Sequence, residues 1–115
     1  MISKITASLA DLAPELTAHA QGAKQVFLRN GDTPTNVTQV AYGVFANTDY
    51  CEMHAHATME ECFFFLKGEG KYTVDGTEIA LSNGVFVRIP AGIPHRLEAT
   101  GNEPLEYVYF GVATE

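Results

Sequence analysis

Concentrated positive charge is missing from this sequence. Seven Lys and Arg stand against fourteen Asp and Glu, a formal net charge of −7, and the basic residues form no cluster. Phosphate backbones and anionic membranes both capture proteins through concentrated positive charge, so neither nucleic acid nor a membrane surface is an expected partner. Long apolar runs are missing too, since no stretch approaches the roughly 20 residues needed to span a bilayer. The start, MISKITASLADLAPEL, is broken by Asp11, Pro14 and Glu15 before an apolar signal-peptide region can build up, and a cytoplasmic location is the expectation. Cysteine is scarce. Cys51 and Cys62 fit neither a CxxC redox pair nor a zinc-knuckle spacing, and without a secretory signal both are expected to be reduced. For the same reason the sequon Asn36-Val37-Thr38 carries no weight. No repeat, linker or low-complexity tract appears, so one domain over residues 1–115 is expected, with an arm at 1–24 and a barrel from about 25 to 115.

With 46% hydrophobic and 18% charged residues over 115 positions, the composition is that of an ordinary globular chain. At this length folding hides roughly two-thirds of the surface that the unfolded chain exposes, enough for one modest core. From residue 36 onward, short β-branched and aromatic runs alternate with Gly, Asn, Asp and Pro, the pattern of consecutive strands. Strands are expected near 25–29, 36–46, 49–56, 60–66, 70–74, 77–82, 84–89, 95–99 and 105–112. Asp75-Gly76 reads as a two-residue type I′ hairpin, and Ser82-Asn83-Gly84 as a second turn. The first 24 residues, rich in Ala and Leu, could hold a helical turn or an arm, in which His19 would be exposed. So many short strands need a closed or two-layered all-β arrangement, because an open sheet would leave reactive edges. Cys62-Phe63-Phe64-Phe65-Leu66 is apolar at both parities, which calls for cover on both faces. A second subunit would supply the outer cover, making a homodimer.

His54 and His56 lie two apart, a spacing that on an extended strand points both rings to one face. Glu61 follows His56 at an odd offset, so the chain must bend at Ala57-Thr58-Met59. That bend resets the count and leaves Glu60 and Glu61 tied as candidates. Further on, Pro90-Ala91-Gly92-Ile93-Pro94 forces a tight turn from which His95 opens the next strand.

Taken together, the two segments resemble the cupins, a family of small jelly-roll barrels marked by two motifs. The first family motif reads G(X)5HXH(X)3–4E(X)6G, and His54, His56, Glu61 and Gly68 fit it, the six-residue gap selecting Glu61 over Glu60. The second reads G(X)5PXG(X)2H(X)3N, matched by Gly84, Pro90, Gly92 and His95. Thr48 stands where the first motif opens with Gly, and Ala99 where the second closes with Asn. The resemblance implies a double-stranded β-helix, or jelly-roll, barrel in which His54, His56, Glu61 and His95 hold one divalent metal ion. Three imidazoles and a carboxylate suit Fe, Mn, Ni, Cu or Zn, and the absence of thiolate speaks against a structural zinc.

Around the expected ion, Glu52 shares the parity of His54 and is the candidate acid/base residue. Tyr72, Tyr107 and Tyr109 could offer phenols to a small-molecule ligand, and Arg88 would clamp an anion only if it faced inward. Cys51 and Cys62 have the opposite parity to the ligands and are expected to face away. The resemblance implies a mononuclear metal-dependent enzyme, of isomerase or dioxygenase type, acting on a small polar metabolite. The alternative is a non-catalytic, sugar-like-ligand binding or sensor cupin. A metal-free epimerase of the related sugar-nucleotide type is disfavoured by the complete ligand set.

Overall fold

Runs of β-branched and aromatic residues between turn formers become strands because their side chains fit a pleated, half-buried surface. The computed structural model describes residues 4–17 and 21–115. In chain order these hold β1 (Glu15–Leu16), β2 (Ala23–Arg29), β3 (Val37–Phe45), β4 (Met59–Lys67), β5 (Gly70–Val74), β6 (Thr77–Leu81), β7 (Phe86–Ile89), β8 (His95–Ala99) and β9 (Leu105–Ala113). Short 3-10 turns lie at Leu9–Asp11 and Asn30–Asp32. The arm therefore contributes both a helical turn and the short strand β1, while His19 lies outside the described residues.

One sheet runs β1-β2-β3-β9-β4-β7 and the other β6-β5-β8. Every pairing is antiparallel, the two-layered jelly-roll barrel that the strand pattern calls for. The Asp75-Gly76 hairpin has φ of 50° and 78°, as a type I′ turn requires. Gly68 shows why the first motif ends as it does: its φ is +84°, and a Cβ there would sit 2.3 Å from the Pro104 carbonyl oxygen.

Between the sheets lie Phe45, Phe63, Phe65, Tyr72, Leu81, Val87, Ile89, Leu97, Leu105 and Tyr107, all buried. Strand β4 feeds this core through Glu61, Phe63 and Phe65, as its alternation requires. Phe64 and Leu66 point the other way and stay 42% and 38% exposed. The outer cover expected for the Phe-rich strand is not provided by the described part of the chain itself.

One expected strand is absent: residues 49–56 pair with β8 as the isolated bridges Tyr50↔Glu98 and His54↔His95 and form no continuous ladder. Four steps from Tyr50 to His54 face three from His95 back to Glu98, so the segment carries one extra residue and bulges. A bulge breaks the alternation on which parity arguments rest. Cys51 is the consequence: expected to face away from the site, it is buried, accepts the Leu97 N–H on Sγ at 3.2 Å and lines the same cavity as His54 and Glu61.

Candidate metal centre

His95 joins its distant partners through the backbone. His54 N–H donates to the His95 carbonyl at 3.0 Å and His95 N–H returns the bond at 2.8 Å, the reciprocal pair that sets two antiparallel residues directly opposite each other. Both rings then share a face, 4.1 Å apart between centroids. The Pro-Gly turn ties in the third histidine, because Gly92, held at φ +81°, donates its N–H to the His56 carbonyl at 2.7 Å. Ligand atoms of His54, His56 and His95 all lie within 4.8 Å of one another.

Each of two rings is also locked in rotation and tautomer. His54 Nδ1 meets the Glu52 carbonyl at 2.8 Å and His95 Nδ1 meets the Ile93 carbonyl at 2.9 Å. A carbonyl oxygen can only accept, so both Nδ1 atoms carry the proton and both Nε2 atoms keep a lone pair for a ligand. That is the arrangement in which backbone oxygens orient imidazoles for a metal. The three histidines are thus placed to bind a metal ion.

Glu61 faces them, with Oε1 3.2 Å from His56 Nε2 and 3.7 Å from His95 Nε2. Burial pushes its carboxyl up to about 7, against the opposing pull of the His54 and Lys24 charges. Burial likewise lowers the pKa of His56, favouring the neutral imidazole that a metal needs. Glu60 turns outward and accepts two hydrogen bonds from Arg88, at 2.7 and 3.1 Å. Adjacent residues on β4 so take opposite faces, and Arg88, on the surface, clamps nothing in the cavity.

Glu52 does not join the site through its side chain. It is exposed and absent from the cavity wall, because the bulged segment carries its carboxylate into solvent; only its carbonyl contributes, by orienting His54. The cavity itself measures about 200 Å³, room for one metabolite of a few carbons. Tyr72, Tyr107 and Tyr109, whose facing the residue pattern left open, line it. Burial, aided by the nearby Glu61 charge, raises Tyr109 to about 12 and Tyr72 and Tyr107 well above the ordinary phenol range, so all three are neutral donors at physiological pH. No local pattern of residues marks Lys24 and Gln39, on β2 and β3, as completing the wall. Only their strand register could have shown it.

A model of the cupin domain family matches residues 43–111. The chain belongs to the cupin family. An uncharacterized protein of Methanocaldococcus jannaschii is 37% identical to this cupin over 54 residues, 47% of the chain and 43% of the relative, so the match spans under half of that protein's length. A crystal structure described as a predicted oxalate decarboxylase from Thermotoga maritima superposes with a TM-score of 0.87 at 19% identity, covering 95% of this cupin and 99% of that chain. The polyketide cyclase RemF from Streptomyces resistomycificus gives 0.80 at 14% identity, over 96% and 79%. At such low identities these likenesses establish the cupin fold alone.

Proposed function

We propose that His54, His56, Glu61 and His95 bind one divalent transition metal ion, and that this cupin is a metal-dependent enzyme, of isomerase or dioxygenase type, acting on a small polar metabolite. The observation that carries the reading is the convergence of three imidazoles within 4.8 Å, two of which, His54 and His56, line a cavity together with Glu61. Four protein ligands leave positions open on an octahedral ion, which when bound supplies Lewis-acid or redox chemistry there. Tyr72, Tyr107 and Tyr109 would then orient the metabolite as hydrogen-bond donors, and the aromatic wall of Phe63 and Phe45 would limit water.

The non-catalytic binding or sensor reading also has an observation in its favour. Glu52, the expected acid/base residue, is exposed outside the cavity, so among the described residues no carboxylate apart from the ligand set lines the site. A homodimer acting in the cytoplasm belongs to the same proposal, the outward Phe64 and Leu66 serving as its contact.

Metal analysis of the purified protein, with reconstitution by Fe, Mn, Ni, Cu and Zn in turn, tests the site. One ion per chain is expected in the wild type, and a loss of at least a hundredfold in affinity for His95→Ala. Wild-type protein that takes up no ion under any of these conditions would sink both readings. Turnover of a metabolite panel, with oxygen consumption followed for the iron form, separates enzyme from sensor.

A further inference from the structure

Among the cavity-lining residues one cation stands out. Among the described residues Lys24 is the only Lys or Arg on that wall, in a chain with twice as many acidic as basic residues. Arg29, Lys71, Arg88 and Arg96 each pair with a carboxylate, whereas the Lys24 ammonium, among the described residues, meets an amide oxygen instead. Its Nζ donates to Gln39 Oε1 at 3.2 Å, and Gln39 Nε2 donates in turn to the Tyr109 hydroxyl at 3.4 Å.

The strand register explains how Lys24 reaches that position. It lies opposite Gly43, and the inner face of β3 from there to Gln39 presents only Gly43 and the fully buried methyl of Ala41. The long side chain can therefore run along the sheet, its stem on apolar surface and its charge in the cavity. Gln39 pairs with Gly111, which pairs with Glu61. Two strand spacings, about 10 Å, thus separate the residue that holds the Lys24 ammonium from the carboxylate beside the three imidazoles. The Lys24 charge is felt at Glu61, where it opposes the effect of burial.

We infer that the cavity selects a small carboxylic acid in which an oxygen head that binds the metal ion lies a few carbons from a carboxylate tail, and that Lys24 is the tail's counterion. The inference rests on the proposed metal site for the head and on Lys24 for the tail. Among the described residues no carboxylate forms an ion pair with Lys24, since Glu15, opposite it on β1, pairs with Arg29; a partly buried ammonium in that state strongly favours an anion over a neutral isostere. Gln39 positions it: the amide holds Nζ in place without neutralising it, as Glu at the same position would.

Racemic malate and 2-hydroxybutanoate test this, since both carry the same hydroxy-acid head and only malate carries the tail carboxylate. Calorimetric titration of the Zn(II)-loaded protein is expected to show malate binding at least tenfold tighter than 2-hydroxybutanoate, with the ratio shrinking as KCl is added. In Lys24→Met the ratio falls to within about twofold of one, while Zn(II) stoichiometry and 2-hydroxybutanoate affinity hold; Lys24→Arg retains the preference. Gln39→Glu, which keeps the lysine but supplies an internal carboxylate, also abolishes it. A ratio near one in the wild type, or an undiminished ratio in Lys24→Met and Gln39→Glu, overturns the inference. If Fe, Mn, Ni or Cu binds in place of Zn(II), that ion replaces it in the titration. Should the protein bind neither Zn(II) nor any of Fe, Mn, Ni and Cu, the metal reading fails by itself. The same pair of acids is then titrated into metal-free protein, where a preference abolished by Lys24→Met upholds the role of Lys24 and its absence refutes it.

Discussion

At the scale of single residues, Glu61 carries the sharpest conflict in the molecule. Nearly buried, it sits among imidazoles that must stay neutral to bind a metal, and burial raises its carboxyl to about 7 from the ordinary 4.5. In metal-free protein the native state therefore holds this proton over a pH range in which the unfolded chain has lost it. Stability falls as pH rises from about 4.5, and the full loss, on the order of 3 kcal/mol, is reached above about 7. Glu61→Gln keeps the shape and removes the charge. Metal-free Glu61→Gln should accordingly melt higher than wild type at pH 8, the gap closing towards pH 4, as thermal denaturation across that range will show. Loaded with metal, the order should reverse, because the ion replaces the missing counter-charge and the amide is a poorer ligand. Equal melting temperatures of the two metal-free proteins at pH 8 would mean that the carboxylate reaches water.

At the scale of elements, the segment between β3 and β4 decides how far sequence reasoning could go. Thr48, at the place where the family motif has Gly, adopts φ of +74°. A left-handed conformation costs an L-residue about 1–2 kcal/mol, partly offset in any Gly replacement by the extra freedom of the unfolded chain, about 0.5–1 kcal/mol. Thr48→Gly is expected to stabilise the fold by about 1 kcal/mol in urea titration, and a destabilised variant would show that its side chain makes a compensating contact. The same segment divides what was legible from what was not. The β4 alternation was readable, so Glu61, Phe63 and Phe65 face inward as foreseen, and Pro90, Gly92 and the Asp75-Gly76 hairpin fixed turns through their backbone demands. The bulge between Tyr50 and His54 left no trace in residue types. It misdirected the parity arguments for Cys51, which turned inward, and for Glu52, which turned out. Lys24 was hidden for another reason: it enters the cavity through pairing with β3, a contact remote in sequence and silent in any local pattern.

At the scale of the whole molecule, the two faces of the six-stranded sheet serve different ends. The inner face bears the histidine-facing Glu61 and the aromatic wall. Its outer face carries Phe64, Phe86 and Phe110, 42%, 59% and 40% exposed, with Cys62, Val40 and Val108 lining a groove between them. Register makes this strip continuous, since Phe64 pairs with both Phe86 and Val108, and Cys62 with Phe110. Contiguous aromatic surface of this kind is unusual on a monomer, and the Glu60–Arg88 pair at its edge offers both charges, as a self-complementary twofold contact needs. Sedimentation equilibrium of the wild type is therefore expected to give a dimer. Phe64→Lys combined with Phe110→Lys should shift it to monomer, by placing like charges in the centre of the contact. Because the strip lies on the opposite side of β4 from Glu61, the monomeric variant should keep its metal stoichiometry. A wild type that sediments as a monomer at every concentration rules out this face as a contact between copies, while a double variant that loses metal together with assembly would show that the two faces of β4 are coupled through the strand.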